Sequence, residues 1–412
     1  FPAINGAWLV SSESFMSNVA PVNFLKLRVG YALSGNDDIR DYESQTYFNS
    51  VRFINRANGL VLANLANTRV QWESTARANA GLDLGLFSDR LNIQADVFHS
   101  TTSDLLTLQP LPEITGLGYY WANGGSMTNT GWEAAAQVKL VNTGNFQWEV
   151  GLSAGSYVNE VKSLPDDKPI VTARYGGELI TEVGSPYASF YGYKTNGVFA
   201  SQADADAAGL KKLMPDGTYA QFGAGDMIFE EVVKDGIIDE KDRQVIGSPI
   251  PTLYGNFNTR FNYKRFTLDA VFSYSYGNEV YNYYRRNLES GSDYSNQTLA
   301  MLRRWTGEGQ TTVVPRAVYG DPMGNARFSD RWIEDGSFLR FKNLTFSYRL
   351  PLSSEFIEGL SVWASADNLY TWTSYLGIDP EVAAGNSVFD QGIDNGLLPP
   401  TRSFSLGVKI NL

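Results

Sequence analysis

The sequence predicts an all-β protein, a transmembrane antiparallel β-barrel, on three observations. The first is one long hairpin, Thr252 to Gly277. Phe257, Thr259, Phe261 and Tyr263 alternate with Asn256, Asn258, Arg260 and Asn262, so one face is largely apolar and the other polar. After a turn at Lys264-Arg265, Phe266, Leu268, Ala270, Phe272, Tyr274 and Tyr276 alternate with Thr267, Asp269, Ser273 and Ser275. Arms of about a dozen residues exceed the usual five or six, and tilted they span a bilayer's hydrocarbon core. Such a hairpin suits lipid outside and a polar lumen inside. The second observation is the rhythm of connections. Short ones follow Ser11, Phe87, Val141, Tyr263 and Leu350, and long ones follow Ser34, Thr102, Val161, Gly277 and Trp372. A soluble β-sandwich accommodates the hairpin but has no reason to gather its long loops at one end, whereas outer-membrane barrels do so. The third is that no run of about eighteen apolar residues occurs; a barrel crosses without one, because its strands satisfy each other's backbone groups.

The elements follow in order. Ala3 to Ser11 is a short strand with Ile4, Trp8 and Val10 on one face. Asn23 to Ser34 sets Leu25, Leu27, Val29, Tyr31 and Leu33 against Lys26, Arg28 and Gly30. Gly35 to Gln71 is long, polar and irregular. Trp72 to Phe87 and Arg90 to Thr102 form a hairpin turned at Ser88-Asp89, and Ser103 to Asn129 is again irregular. Thr130 to Val141 and Phe146 to Val161 are joined through Asn142-Thr143-Gly144-Asn145. The longest connection spans 162–251, unusual inside a compact soluble domain. Within it Ser189 to Phe199 reads as strand and Gln202 to Leu213 as a short helix. A second excursion spans 278–337, with a helix expected near Asn296 to Trp305. Phe338 to Leu350 is a strand whose apolar register shifts near Lys342, as at a bulge. Leu360 to Trp372 is a strand, Ser374 to Thr401 a long loop, and Phe404, Leu406, Val408, Ile410 and Leu412 close the chain on a clean alternation.

Composition sets limits. The chain has 412 residues, a formal net charge of −11, no Cys and a single His, His99. Thiolate and disulfide chemistry and multi-His zinc sites are excluded. The acidic balance argues against nucleic acid, which needs a basic footprint. The chain opens on Phe1 rather than Met and reads as part of a longer chain or a processed one. About eleven spanning strands are counted, whereas bacterial single-chain barrels use even numbers. An incomplete barrel would leave open edges in lipid, so a partner segment is expected.

Specific words then match a family. Phe338-Leu339-Arg340-Phe341-Lys342-Asn343-Leu344-Thr345 with Tyr348-Arg349-Leu350-Pro351 resembles a stretch near the end of SusC/RagA-type TonB-dependent outer-membrane transporters. Ala366-Asp367-Asn368-Leu369-Tyr370-Thr371-Trp372-Thr373, followed by Gly377-Ile378-Asp379-Pro380-Glu381, resembles another. Asn129-Thr130-Gly131-Trp132-Glu133, Phe190-Tyr191-Gly192-Tyr193-Lys194, Arg304-Trp305-Thr306 and Asp330-Arg331-Trp332-Ile333-Glu334 also fit, in collinear order over nearly the whole chain. The resemblance implies the C-terminal half of a barrel of about twenty-two strands, with the plug domain, the TonB-contacting segment and the N-terminal barrel half outside this sequence. It implies active import of oligosaccharides or peptides across the outer membrane of a Bacteroidetes-type bacterium. It further implies that TonB supplies the energy and that a SusD-like surface lipoprotein acts as lid. It places 162–251 and 278–337 as extracellular loops. The last residue, Leu412, departs from the terminal aromatic common in outer-membrane barrels.

Two groups of residues are candidates for binding. Tyr119, Tyr120 and Trp121, with Tyr281, Tyr283, Tyr284 and Tyr375, fall in long loops, where aromatic faces stack on sugar rings or apolar peptide side chains. Loop packing or a headgroup-level girdle is the plainer reading for each of them. Glu231, Asp235, Asp239 and Asp242, around Gly236, resemble a calcium loop in which oxygens at alternating positions wrap a hard cation. Here the first position is Glu rather than Asp and the third is Val233, so a hydrogen-bonded acidic turn without calcium is expected, and no other cofactor. Arg285, Arg286, Arg303 and Arg304 flank a helical stretch and read as a solvated loop face, with lid or ligand contact as the alternative. No HExxH or GxSxG motif occurs, and no carboxylate pair stands out, so no enzyme is expected. The competing functions are a passive porin or adhesion barrel, and a soluble carbohydrate-binding or hydrolysing β protein.

Overall fold

The computed structural model describes residues 1–39, 41–54, 56–352 and 359–411. Eleven strands, β1 to β11, form one antiparallel sheet. They are Ala3–Leu9, Val22–Asn36, Glu73–Leu86, Leu91–Ser103, Ser126–Asn142, Phe146–Ser163, Leu253–Tyr263, Phe266–Tyr276, Phe338–Leu350, Gly359–Thr373 and Ser403–Asn411. Each pairs only with its neighbours in sequence, so the sheet is a simple meander and β1 and β11 are its two edges. The expected rhythm holds: all long connections leave from one end of the sheet. The link after Leu350 lies largely outside the described residues, as does Leu412.

Cross-strand register turns the alternation of single strands into two continuous faces. One transverse row runs Leu25, Leu84, Ile93, Ala136, Leu152, Phe257, Phe272, Phe341 and Tyr370 across β2 to β10. The adjacent row runs Lys26, Asp83, Gln94, Ala135, Ser153, Asn256, Ser273, Arg340 and Thr371. A one-residue slip anywhere would exchange these faces, so burial of the apolar face in lipid fixes the register. The apolar face carries aromatic residues toward both ends. Near the short turns Trp148 stacks on Phe261 at 5.3 Å and Phe266 lies 4.6 Å from Tyr348. Near the long connections Tyr370 and Trp372 meet at 4.9 Å. Amphipathic rings at two levels are the girdles of a membrane barrel. The bulge expected near Lys342 is present as a register shift between Phe341 and Asn343.

The long connections are more ordered than their sequence suggested. The 37–72 segment holds a hairpin, Tyr47–Phe53 with Ala57–Asn64, and the 104–125 segment another, Leu106–Pro110 with Tyr119–Asn123. The Ser189 to Phe199 strand is two short strands, Ser189–Gly192 and Thr195–Val198. The expected Gln202 to Leu213 helix is shorter: α1 spans Gln202–Ala208 and stops because Gly209 turns left-handed at φ 64°. Lys211–Leu213 is a strand instead, paired with Tyr219–Gln221. The helix expected at Asn296 to Trp305 is only a 3-10 segment, Leu299–Arg303, while an unforeseen helix, α2, covers Tyr283–Glu289. The three later connections, 164–251, 278–337 and 374–402, share two apolar cores. Leu179, Phe190, Tyr281, Phe328, Trp332 and Ile393 form one, and Phe199, Phe222, Met227, Phe229, Ile238 and Met323 the other. These three long loops therefore fold as a cored cap above the sheet.

Candidate functional site

The polar face of the sheet is built from charges that neutralise one another and from amides. Arg28 holds Asp83 with its Nε and Nη2 at 3.0 and 2.9 Å and reaches Asp96 at 2.9 Å. Gly81 lies directly beneath: a Cβ there would stand 2.2 Å from Asp96 Oδ1 and 2.8 Å from Arg28 Cζ, so only glycine leaves room for this cluster. Arg260 pairs with Asp269 at 2.5 Å. The same face opens into several concavities. One, of about 280 Å³, is lined by Gln94, Asp96, Glu133, Ser153, Tyr254 and Asn256. Another, of about 500 Å³, lies between β7 to β9 and the cap segment 380–392.

Ion pairs and buried hydrogen bonds tie the cap together and to the wall. Arg340 of β9 is only 3 % exposed; it donates to Asp379 at 2.5 Å and lies 3.3 Å from Glu381. Both carboxylates belong to the Gly377-to-Glu381 word, which is thereby read as the anchor of the last loop. Within the cap, Asp226 is wholly buried and accepts from Arg316 Nε and Nη2, at 2.8 and 2.9 Å, and from the Asn325 side-chain amide at 2.9 Å. Arg285 pairs with Glu334 at 2.6 Å and Glu289 at 3.2 Å. The Trp332 ring is flanked by Arg285 at 5.2 Å and Arg331 at 4.2 Å. Burial drives the Arg331 guanidinium down to about 10, with Glu289 opposing that shift.

The aromatic candidates separate into two places. Tyr119, Tyr120 and Trp121 form one strand of the 104–125 hairpin, and Tyr119 is 54 % exposed. The Trp121 carbonyl accepts the Asn67 side-chain amide at 2.9 Å, linking two long connections. Tyr281, Tyr283, Tyr284 and Tyr375 belong to the cap. Tyr281 is 1 % exposed and donates to the Tyr175 carbonyl at 3.0 Å, so its ring is committed to the core. Tyr375 is buried too and donates to Asp394 at 2.6 Å; burial, then that carboxylate, raises its phenol far above the ordinary range. Tyr283 packs between Tyr175 and Tyr281, and Tyr284 stays half exposed over Gly396. Arg285 and Arg286 point inward, Arg286 to the carbonyls of Ala326 and Gly176, rather than forming a solvated face.

The acidic loop is closed by the protein's own donors. Asp242, fully buried, accepts from the Val232, Val233 and Asp239 amides at 2.9, 3.1 and 2.9 Å. Glu231 accepts from the Gly236 amide and Asp235 from that of Ile237 at 3.0 Å. The Lys241 ammonium stands 3.9 Å from Asp235 and 3.6 Å from Asp239. Among the described residues no group of three or more metal-ligating side chains converges.

Sequence reasoning missed Asp226 with Arg316, and Arg340 with Asp379, as pairs. The only signal was that Arg340 and Asp379 each sit in a family word; nothing local links Asp226 to a partner 90 residues on.

Comparison with known proteins fits this geometry. Residues 11–226 match the family model described as TonB dependent receptor-like, beta-barrel. The whole chain is 31 % identical to TonB-dependent receptor P3 of Formosa agariphila, covering 41 % of that protein. It is 24 % identical to TonB-dependent receptor SusC of Bacteroides thetaiotaomicron, covering 40 % of it. The chain thus spans about two fifths of the length of the curated relatives it matches. The structure of the RagAB peptide transporter superposes with a TM-score of 0.77 at 25 % identity over 99 % of this chain and 43 % of that one. The "open-open" state of the RagAB peptide importer gives 0.78 at 24 % identity, a likeness of fold. A meander with lipid and lumen faces, girdled at both ends and capped at one, together with these matches, shows that the chain belongs to the TonB-dependent receptor β-barrel family and resides in the outer membrane.

Proposed function

We propose that this chain is the C-terminal wall and mouth of an active importer that brings oligosaccharide or peptide nutrients across the outer membrane. The observation that carries the reading is the union of a polar inner face with a cored cap over one end. A passive pore has no need to fold three long connections around two apolar cores, and the Arg340–Asp379 clasp holds that cap to the wall. In this reading 162–251 and 278–337 are extracellular. The open edges of β1 and β11 pair with an N-terminal barrel half, a plug occupies the lumen, and a SusD-like lipoprotein closes over the cap. Energy enters through TonB acting on the plug. Binding must then bias plug and lid between states of different affinity, or no signal crosses the membrane. The chain has no catalytic role. In this reading the acidic loop works without calcium, a view supported by the backbone amides and Lys241 that engage its carboxylates.

Uptake of labelled oligosaccharide and peptide pools by cells with intact and disrupted TonB tests the proposal. Uptake that needs TonB supports it. Uptake indifferent to TonB would transfer the assignment to a passive porin. For calcium, limited proteolysis of the 231–242 loop should be unchanged by chelation; faster cleavage after chelation would return the loop to the calcium-binding class.

A further inference from the structure

The first long connection carries an apolar surface that the cap does not use. Its hairpin, Tyr47–Phe53 with Ala57–Asn64, is a two-stranded ribbon on its own, and neither core of the cap contains any of its residues. Cross-strand register puts Phe48 opposite Leu62 and Ser50 opposite Leu60, so one face gathers Phe48, Leu60 and Leu62. Phe48 is 58 % exposed and Leu60 74 %, and Ile54 at the tip is exposed as well. A lone two-stranded ribbon is at best marginally stable in water, and an open apolar face of this kind marks a protein contact. The root of the ribbon is nonetheless fixed. The buried Asn64 side chain donates to the Glu43 and Gln45 carbonyls at 2.7 and 2.9 Å, and Asn67 donates to the Trp121 carbonyl at 2.9 Å. Arg52 and Arg56 stand exposed near the tip.

We infer that this hairpin is a docking arm whose occupant is the connection of the N-terminal barrel half that leads into β1. The inference rests on the half-barrel part of the importer reading. Register decides the neighbour. Ala3 of β1 pairs with Ala32 and Leu9 with Lys26, so β1 is entered from the end of the sheet where the long connections gather. β1 is an edge of the sheet, and the strand that closes on it must reach it through a connection at that same end. The path into β1 runs past the root of the hairpin. The Phe1 ring lies across β2 at Gly35, where a Cβ would collide with it, and meets Trp72, at the foot of the first connection, edge-on at 6.2 Å. Closure therefore brings the incoming connection against the exposed face. Apolar side chains fill the surface around Phe48 and Leu60, an extended stretch pairs with a free ribbon edge, and carboxylates meet Arg52 and Arg56. A lid seated on the cap rests on the three later connections, which leaves the arm to the chain's own N-terminal half. The arm then fastens the two halves at the mouth, as strand pairing fastens them in the wall.

The test uses the complete protein purified from its own outer membrane together with its lipoprotein. The photo-crosslinker benzoylphenylalanine replaces Leu60 in one preparation and Ser50, its neighbour across the ribbon, in a second. Adducts are mapped by mass spectrometry. Crosslinks to the connection that leads into β1 are the expected result. Crosslinks only to the lipoprotein, only to a second copy, only to the cap, or to no protein overturn the docking assignment and leave the half-barrel reading standing. Sequencing of the same preparation judges that reading separately, and a protein without an N-terminal barrel half overturns both. Hydrogen exchange supplies a second measurement. The amides of 48–62 should stay protected once the lipoprotein is stripped away, and Leu60→Asp should speed their exchange about tenfold. Protection that vanishes with the lipoprotein, or exchange unmoved by Leu60→Asp, overturns the assignment. Heat-modifiable migration on gels reports whether each variant folds; should Leu60→Asp fail to fold, the crosslinks decide.

Discussion

Asp379→Asn should release the last long loop without loosening the barrel. Arg340 is almost fully buried, and Asp379 is its nearest acceptor at 2.5 Å. Asp379 also accepts the Glu381 amide at 2.8 Å, so one carboxylate orders both the wall arginine and the turn that follows. Breaking a buried pair by removing one charge costs about 3–5 kcal/mol, because the remaining ion is left uncompensated. Glu381 stays 3.3 Å away and the new amide can still accept, so the lower end, about 3 kcal/mol, is expected. That is about a hundredfold in the open population of the loop. Hydrogen exchange in detergent reads this population directly. The reporters are the amides of Ala384, bonded to Asp390 at 2.9 Å, and Gly392, bonded to Val382 at 3.1 Å. They should exchange about a hundredfold faster, while those of β9 and β10 stay protected. Glu381→Gln is the control: Glu381 is 56 % exposed on its side chain, and an exposed pair is worth about 1 kcal/mol at most. Equal acceleration by both variants, or none by Asp379→Asn, would refute the idea that a buried clasp holds the loop.

Three further outcomes follow from the same structure. Val97→Arg, on the apolar face between Ala80 and Trp132, should cost about 2–4 kcal/mol of barrel stability. Gln94→Arg on the polar face should cost far less; urea titration in detergent, finding them equal, would reverse the face assignment. Tyr375→Phe removes the hydroxyl from buried Asp394 and should destabilise the cap by about 1.5–3 kcal/mol, read as faster exchange at Gly396, whose amide Asp394 also accepts. Glu279 supplies the pH dependence. Burial raises its folded pKa above 4.5, with Asp335 across the strand adding to the rise and the Ser248 amide opposing it. Its charged form therefore costs stability, a cost absent below the unfolded value and complete once pH has risen through the folded one. Glu279→Gln should flatten cap stability against pH in that window, measured by thermal melts; an unchanged slope would rule the residue out.

Much of the barrel was legible because lipid imposes a period of two on every spanning strand. The Thr252 hairpin, the Lys342 bulge and the one-ended gathering of long loops all follow from local pattern. The cap was not, because its order is made by distant pairs. Asn395 donates to the Tyr175 hydroxyl 220 residues away, and no window of sequence contains both. For the same reason the burial of Tyr281 and Tyr375 agrees with loop packing, the plainer reading of each, but the distant partners they pack on were not legible. Helix lengths failed where a single residue intervened: Gly209 ends α1 one turn early.

The strictly sequential meander bears on how the molecule is made. Every later spanning strand docks on the one just before it; the hairpins closed by short turns are local in chain separation and fast, while the pairings between them wait on a long connection. The cap obeys the opposite rule. Its clasp joins β9 to a segment beyond β10, and its cores draw on residues from Leu179 to Ile393. Biogenesis is thereby ordered in time: a nascent wall must be nearly complete before the entrance it supports can acquire its shape. A stalled intermediate ending before β10 should consequently carry long connections that proteases cut freely.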